Sequence, residues 1–419
     1  MFRKIIRATP DLLGSRILLV GTRCEYAKGL ATAKGDGHAM AQAAADHKYE
    51  QALEARITET LLELAGLPSV SGQEAAVREY IQNRLEQRLK LAPRTDQAGN
   101  LFARLPGAPV ARDAEPPLLL NAHMDRVPPG RAHTPIVADG VMRSDGATNL
   151  GADDSAGIAI VLHTVEELHY HALPHPPLLL LFTTGEEVGL TGAKAFDPAP
   201  WGAREGIVFD NAGEPGEIVT RAATYIAFDV TLRGSGGHPG KSLDGTASAI
   251  EMFRRAAYPF GSLDGDTTRV SIGRIEGGVA RNAIPAELRA QGEARTLLEG
   301  QAQQALLQTI ERAFTEAAAS LGGSATVEFD IHCGGYTVST DETLPREYMR
   351  AIERHDWQPR TITTFIGSDA SALRGNGCAV FTVSTGAMEE HTEREWIALA
   401  PLARLTQVTV NFLSEYRAQ

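Results

Sequence analysis

Cysteine is scarce in this sequence. Cys24, Cys333 and Cys378 are the only three cysteines in 419 residues, and no two of them form a CxxC pair. Cysteines so few and so far apart exclude a disulfide framework and favour a reducing compartment. We therefore expect ordinary thiols and a cytoplasmic protein.

Long apolar runs and an excess of positive charge are also missing. The run "PPLLLLFTT" ends far short of the roughly 18 to 20 apolar residues that a membrane-spanning helix needs. Acidic residues outnumber basic ones, 52 to 40, which gives a formal net charge of −12. Because nucleic acids and anionic membranes bind basic surfaces, the sequence predicts neither as a partner.

The N-terminal segment "MFRKIIRATPDLLGSRILLVGTR" is rich in arginine and poor in acidic residues. It has two interpretations, an organelle transit peptide or an extension without visible chemistry, and it lacks the apolar core of a secretory signal. We assign residues 1–48 to an N-terminal extension.

From Tyr49 onward, amphipathic helices alternate with apolar strand candidates such as "PPLLLNAHMD", "PPLLLLFTTGEE" and "GIVFDNAG". Continuous apolar strands that alternate with helices are typical of a mostly parallel sheet covered by helices on both faces. This pattern predicts an α/β domain made of residues 49–216 and completed by residues 335–419.

Between these two parts the pattern changes. Residues 217–334 read strand, helix, strand, strand, helix, strand, from "EIVTRAATYIAFDVTLRG" to "ATVEFDIHCG". This order is that of a split βαβ unit. We therefore predict an inserted α+β domain here.

The apolar strand in "PPLLLNAHMDRVPPG" runs directly into a histidine and an aspartate. Residues i and i+2 of a strand face the same side, so His123 and Asp125 lie together at the strand's carboxyl end, where open α/β sheets bind ligands. A metal-ligating histidine and a carboxylate that orients its ring would fit this pair. A hydrogen-bonded turn is the alternative.

Other predicted strands also end in carboxylates or histidine. Each of these residues could instead cap a helix or lie in a solvated turn. Together they place imidazoles and carboxylates at one edge of one sheet, which indicates a metal site. They are Asp153 and Asp154 in "GADDSAG", Glu186 and Glu187 in "TTGEEVG", Asp210 in "VFDNAG" and His391 in "MEEHTEREW".

Two further motifs give weaker indications of a binding site. "GSGGHPGKS" is not a phosphate-binding P-loop, because Ser235 stands where that motif needs its first glycine. The histidines of "ELHYHALPHPP", His169, His171 and His175, could form a metal tract, but a solvated helix end is the favoured interpretation.

The order HxD, GADD, GEE, D, HPG and a C-terminal H, with the inserted domain, resembles the dinuclear zinc exopeptidases. That family includes peptidase T, the carboxypeptidase G type enzymes and the acetylornithine and succinyl-diaminopimelate deacylases. The resemblance runs from Tyr49 to the end of the chain. "GADDSAG", "TTGEEVGLTGA", "FDNAGEPGEI" and "IGSDASAL" are most similar to peptidase T and its relatives.

The resemblance implies two Zn²⁺ ions, with Co²⁺ or Mn²⁺ as alternatives because the same ligand types also suit them. His123, Asp153 and Asp210 would hold one ion, and Asp153, Glu187 and His391 the other. Glu186 would be the general base, and Asp125 would orient His123.

In the family the inserted domain serves as a lid and a dimerisation domain. The resemblance therefore implies that His238 of "HPG" binds the reacting carbonyl oxygen, in some members from the partner subunit of a homodimer. Asn282 and Arg295 would contact substrate. Arg126 and Ser155 depart from the family pattern, which often has threonine and lysine at these positions.

These observations predict a metallopeptidase that acts on short peptides, an aminopeptidase or tripeptidase of peptidase T type. Asp210 favours this interpretation by resemblance, because many deacylases and carboxypeptidases have glutamate there. An N-acyl amino acid deacylase or a carboxypeptidase with the same metal site is the alternative. A metal-binding interaction protein without catalysis is a third, against which stands the presence of Glu186.

Overall fold

The structure is a computed structural model that describes residues 36–130, 133–241 and 245–416, with side chains from residue 48 onward except that of Ala111. Cys24 and most of the predicted N-terminal extension lie outside the described residues. All contacts given below lie within one compact unit, Asp46–Gln419.

The helices are α1 (Asp36–Ala65), α2 (Ala75–Leu89), α3 (Ala152–Tyr170), α4 (Thr191–Ala195), α5 (Ala249–Arg255), α6 (Gly300–Ser320), α7 (Thr343–Arg354), α8 (Asp369–Gly375) and α9 (Leu399–Glu415). The strands are β1 (Arg94–Thr95), β2 (Leu101–Leu105), β3 (Leu118–His123), β4 (Ile136–Ala138), β5 (Val141–Arg143), β6 (Leu178–Thr183), β7 (Glu205–Phe209), β8 (Ile218–Ala222), β9 (Thr224–Arg233), β10 (Gly261–Leu263), β11 (Thr268–Gly277), β12 (Glu287–Thr296), β13 (Ser324–Cys333), β14 (Tyr336–Thr337), β15 (Thr361–Thr364), β16 (Ala379–Val383), β17 (Ala387–Met388) and β18 (Trp396–Ala398). In the described part of the chain, no helix is both long enough and apolar enough to cross a membrane.

A nine-stranded sheet forms the larger layer, in the order β1-β2-β6-β3-β7-β16-β8-β14, with β15 paired to β8. Its central strands β6, β3, β7 and β16 are parallel, whereas β2 and β8 flank them antiparallel. Every residue of β3 and β6 is buried. Burial on both faces explains the continuous apolar runs of these strands, and the predicted α/β fold class is confirmed.

A second sheet of five strands has the order β10-β11-β12-β9-β13, and all its pairs are antiparallel. With α5 and α6 it forms a hydrophobic core separate from that of the large sheet. Helix α6 buries Leu306, Ile310 and Phe314, which lie four residues apart on one face. The predicted strand and helix order is present here, with β10 added.

The boundary of this second sheet differs from the predicted one at residue 217. Strand β8 comes after that position, yet it pairs with β16, β15 and β14 in the large sheet. The sequence from residue 217 to 233 alternates like one strand, but it forms two, and only β9 belongs to the second sheet. The division of the chain into domains otherwise stays a prediction.

A small sheet, β17-β18-β5-β4, joins residues near 140 to residues near 395. Sequence analysis did not predict it. It brings the turn between β17 and β18, which carries His391, close to the start of α3, which carries Asp153.

A buried polar cluster joins the first three helices. The guanidinium of Arg84 donates to both carboxylate oxygens of Glu166, at 2.6 and 3.0 Å, and lies 3.1 Å from Nε2 of His163. Thr60 Oγ1 lies 2.9 Å from the same Nε2. Burial, reinforced by the positive charges of Arg84 and Arg56, lowers the pKa of His163 to about 2. His163 is therefore neutral in the folded protein.

This histidine predicts a loss of stability in mild acid. The unfolded chain binds a proton at His163 below its ordinary pKa of about 6.5, whereas the folded chain does not, so stability falls as pH drops below that value. Between pH 7.5 and pH 5 the loss amounts to about 2 kcal/mol. We expect His163→Gln to lack this part of the pH dependence, measured as the free energy of unfolding in urea at both pH values.

The control is His169→Gln, which changes an exposed histidine of the same helix. It should keep the wild-type pH dependence. If His163→Gln and wild type lost equal stability, His163 would not be the group responsible.

Candidate metal centre

The parallel strands of the large sheet place three candidate ligands at one edge. His123 is the last residue of β3, and its register partner in β6 is Thr183, four residues before Glu187. Asp210 follows β7 directly, and β7 also pairs parallel with β3. The carboxyl ends of these strands therefore bring the three side chains together, as the sequence predicted.

His123, Asp153 and Asp210 form the first group. His123 Nε2 lies 3.1 Å from Asp153 Oδ1 and 3.7 Å from Asp210 Oδ1. One ligand atom from each of the three residues falls within 4.8 Å of the others. This is the set that the resemblance implied for one zinc ion.

Asp153, Glu187 and His391 form the second group. His391 Nε2 lies 3.0 Å from Asp153 Oδ2 and 3.0 Å from Glu187 Oε1. Asp153 thus faces one group with Oδ1 and the other with Oδ2. A carboxylate used in this way can bridge two cations.

The charges of these residues fit divalent cations. Burial, followed by repulsion from Asp210, raises the pKa of Glu186 well above its ordinary value, and burial also raises the pKa values of Glu187 and Asp210. Asp210 Oδ2 is buried and has no hydrogen-bond partner among the residues that the structure describes. A buried carboxylate oxygen without a donor is costly, and a metal ion would satisfy it.

The histidines respond to the same negative charge. Hydrogen bonds to Asp153 and Glu187 raise the pKa of His391 to about 10. Burial opposes protonation of His123, but the charge of Asp210 and the neighbouring carboxylates raises its pKa well above the ordinary value. The negative charge that favours protons at these ring nitrogens also favours metal ions there.

Asp125 lies beside these groups, and its carboxylate contacts other residues in addition to His123. His123 Nδ1 is 3.0 Å from the main-chain oxygen of Asp125 and 3.5 Å from its carboxylate Oδ1. The carboxylate accepts the main-chain N–H groups of Glu186 at 2.9 Å and Glu187 at 3.2 Å, and the hydroxyl of Ser71 at 2.7 Å. His123 Nδ1 therefore has the main-chain oxygen of Asp125 as its nearer partner, and the Asp125 carboxylate holds the Glu186–Glu187 loop.

Two further buried carboxylates support the site. Asp154 accepts the main-chain N–H groups of His123 at 3.1 Å and Gly157 at 2.9 Å. Glu395, which was not predicted from the sequence, is fully buried and accepts hydrogen bonds from three main-chain N–H groups at the start of α3. Its position four residues after His391 was the one signal present in the sequence.

The predicted substrate residues lie outside both metal groups. His238 and Asn282 are exposed, in segments joined by the bridge between Gly237 and Ile284. Arg295 pairs with Glu293 at 3.0 Å, stacks on the ring of Tyr225 and donates to the main-chain oxygen of Phe365 at 2.8 Å. Among the described residues no hydrogen bond or ion pair joins them to the ligands, and their substrate roles stay predictions.

The histidines near the end of α3 also lie outside the candidate metal groups of the described residues. His169 is exposed, and His171 pairs with Glu167 at 3.2 Å. His175 is buried, and its Nδ1 lies 2.7 Å from the main-chain oxygen of Pro176.

Comparison with known proteins agrees with this geometry. Residues 119–415 match the model of peptidase family M20/M25/M40. The chain belongs to this family. It is a peptide hydrolase, and the proposed resemblance to peptidase T-like enzymes is confirmed.

Three relatives match this chain over nearly their whole length. The crystal structure of aminopeptidase PepT from Bacillus cereus is 30% identical, with a TM-score of 0.81, and the match covers 86% of this chain and 98% of that one. A tripeptidase structure from Staphylococcus aureus is 27% identical, with the same TM-score and coverage. The uncharacterized protein YqjE of Bacillus subtilis is 30% identical over 86% of this chain and 98% of its own.

The contacts of Asp125 generate a prediction. In Asp125→Asn the amide NH₂ is a donor and would face main-chain N–H groups that now donate to the carboxylate. The Glu186–Glu187 loop should therefore loosen. We expect metal affinity to fall by roughly 10 to 100-fold. The measurement is competition for zinc between the metal-free protein and a chromophoric chelator.

Asp145→Asn is the matched control, because Asp145 is exposed and accepts only a local N–H, that of Ala147, at 2.9 Å. It should bind zinc like wild type. Wild-type affinity in Asp125→Asn would remove Asp125 from the support of the site.

Proposed function

We propose that this peptidase is a dinuclear zinc aminopeptidase that releases the N-terminal residue from short peptides, tripeptides among them. The observation that carries the proposal is Asp153, whose two carboxylate oxygens face two separate groups of ligands, 3.1 Å from His123 and 3.0 Å from His391. The relatives that this chain matches over 98% of their length include an aminopeptidase and a tripeptidase. Zinc as the metal and the count of two ions are parts of this proposal.

The residues would divide between holding metal and moving protons. His123, Asp153 and Asp210 would hold one ion, and Asp153, Glu187 and His391 the other. When bound, the ions lower the pKa of water and polarise the scissile carbonyl. Three ligand carboxylates offset most of the four positive charges of two Zn²⁺ ions, which leaves a centre able to accept a polar substrate.

Glu186 is the residue that would move the proton. It is adjacent to Glu187, and its main-chain N–H is fixed by Asp125 Oδ1 at 2.9 Å. It belongs to a group with His123 and Glu187 whose ligand atoms lie within 4.8 Å of one another. Burial and the charge of Asp210 raise its pKa, so its carboxylate holds a proton more strongly than an exposed glutamate does. A carboxylate of this kind can accept a proton from the attacking water and deliver it to the leaving amine.

His238, Asn282 and Arg295 complete the proposal on the substrate side. His238 and Asn282 lie in exposed segments between elements of the inserted region, available to a substrate or to a second copy of the chain. Arg295 is engaged with Glu293 and Phe365, so it would have to exchange these partners to contact substrate. A homodimer formed through residues 217–334 stays part of this proposal.

The choice of substrate can be tested with one tripeptide and its N-acetylated form. We expect hydrolysis of the free-amine tripeptide, loss of this activity after chelation, and its return with zinc. The released amino acid should be the N-terminal one, identified by mass spectrometry. The acetylated peptide should be cleaved much more slowly.

Other outcomes separate the alternatives. Faster cleavage of the acetylated form would favour an N-acyl amino acid deacylase, and release of the C-terminal residue would favour a carboxypeptidase. Hydrolysis that survives chelation would contradict a metal mechanism.

A further inference from the structure

A carboxylate distant in sequence holds the turn at the start of α3 that presents Asp153. Glu395 Oε2 accepts the main-chain N–H groups of Leu150 at 2.7 Å and Gly151 at 2.8 Å, and Oε1 accepts that of Asp153 at 3.0 Å. Gly151, at the N-cap of α3, has no side chain to offer these groups. Because the backbone of Asp153 and Asp154 is not helical, this turn precedes the regular part of α3, and its buried N–H groups need an acceptor from outside the helix.

The segment that carries Glu395 also carries a candidate ligand. The main-chain N–H of Glu395 donates to Thr392 at 3.2 Å, and its carbonyl accepts from Ser144 at 3.0 Å. The first bond closes residues 392–395 of the turn between β17 and β18, directly after His391, and the second joins this turn to the end of β5. The position of His391 and the position of the Asp153 backbone are therefore set by one short segment.

Arg126 supports the turn at residues 150–153 from another side. Its guanidinium donates to Ser155 Oγ at 2.7 Å and to the main-chain oxygen of Leu64 at 2.9 Å. A Cβ added to Gly151 would lie 2.6 Å from Arg126 Cδ, so the backbone of Gly151 and the side chain of Arg126 are in direct contact. Both Arg126 and Glu395 are buried. Two opposite charges thus enclose residues 150–153.

We infer that Glu395 is a positioning residue: its carboxylate fixes the backbone of residues 150–153 and so aims the Asp153 carboxylate at His391 and His123. This inference rests on the proposed metal centre and adds a residue outside its ligand set. Glu395 touches neither ligand side chain by a hydrogen bond. It acts through the three N–H groups and through the turn that it shares with His391.

A helix cap alone would give a different result from a positioning residue. Loss of a cap lowers the stability of the folded protein and leaves the affinity of the folded molecules for metal unchanged. Loss of a group that orients ligands weakens metal binding even where the protein stays folded. Metal affinity measured on folded protein therefore separates the two roles.

The test compares Glu395→Gln with wild type, starting from metal-free protein. The amide of glutamine cannot accept at all three N–H groups, because its NH₂ is a donor. We expect the variant to stay folded by circular dichroism and to bind its weaker zinc equivalent roughly 10 to 100-fold less tightly, in competition with a chromophoric chelator. We also expect kcat to fall with KM within about two-fold, because the substrate contacts are untouched.

Glu393→Gln is the matched control, since Glu393 is an exposed glutamate of the same turn. It should behave as wild type. Should Glu395→Gln fail to fold, Glu395→Asp keeps the charge but shortens the side chain, so weaker zinc binding is again expected. Wild-type zinc affinity in a folded Glu395 variant would overturn the inference while the metal centre stands. If wild type itself bound fewer than two zinc equivalents, the proposed centre would fail and this inference with it.

Discussion

Repulsion among half-buried carboxylates is the constraint on which the rest of this structure depends. Asp153, Glu186, Glu187 and Asp210 come together at one edge of the large sheet, and burial with mutual repulsion raises the pKa values of the last three. Such a cluster is tolerated only if cations or protons balance it. The raised pKa values of His391 and His123 reflect the same negative charge, which divalent ions would offset.

A second set of carboxylates holds the backbone that carries the first. Asp125 accepts the N–H groups of the Glu186–Glu187 loop, Asp154 accepts that of His123, and Glu395 accepts those at the start of α3. Each supporting carboxylate therefore fixes a different segment of the site. Loops that would otherwise move are tied to the parallel strands, and this kind of support is what a metal site needs for affinity.

Much of the fold and the candidate site could be predicted from local sequence. The apolar runs of β3 and β6 are buried on both faces, and the residues that follow β3, β6 and β7 meet at one edge because parallel strands end on the same side. The small sheet could not be predicted, because strands of two or three residues depend on partners far away in sequence. The same applies to Glu395, whose N–H partners lie 242 to 245 residues away. Alternation alone also could not assign β8 and β9 to different sheets, because the alternating pattern continues from one strand into the other.

The central claim is that these residues hold metal and move a proton in separate roles, and Glu186→Gln tests it most directly. The measurement is zinc stoichiometry and kcat on the same preparation, with Glu214→Gln, a change of an exposed glutamate near the same sheet edge, as the control. The account predicts two zinc equivalents in all three proteins and a kcat lower by about two to four orders of magnitude in Glu186→Gln alone. Near-normal turnover in Glu186→Gln with both metal ions bound would contradict it.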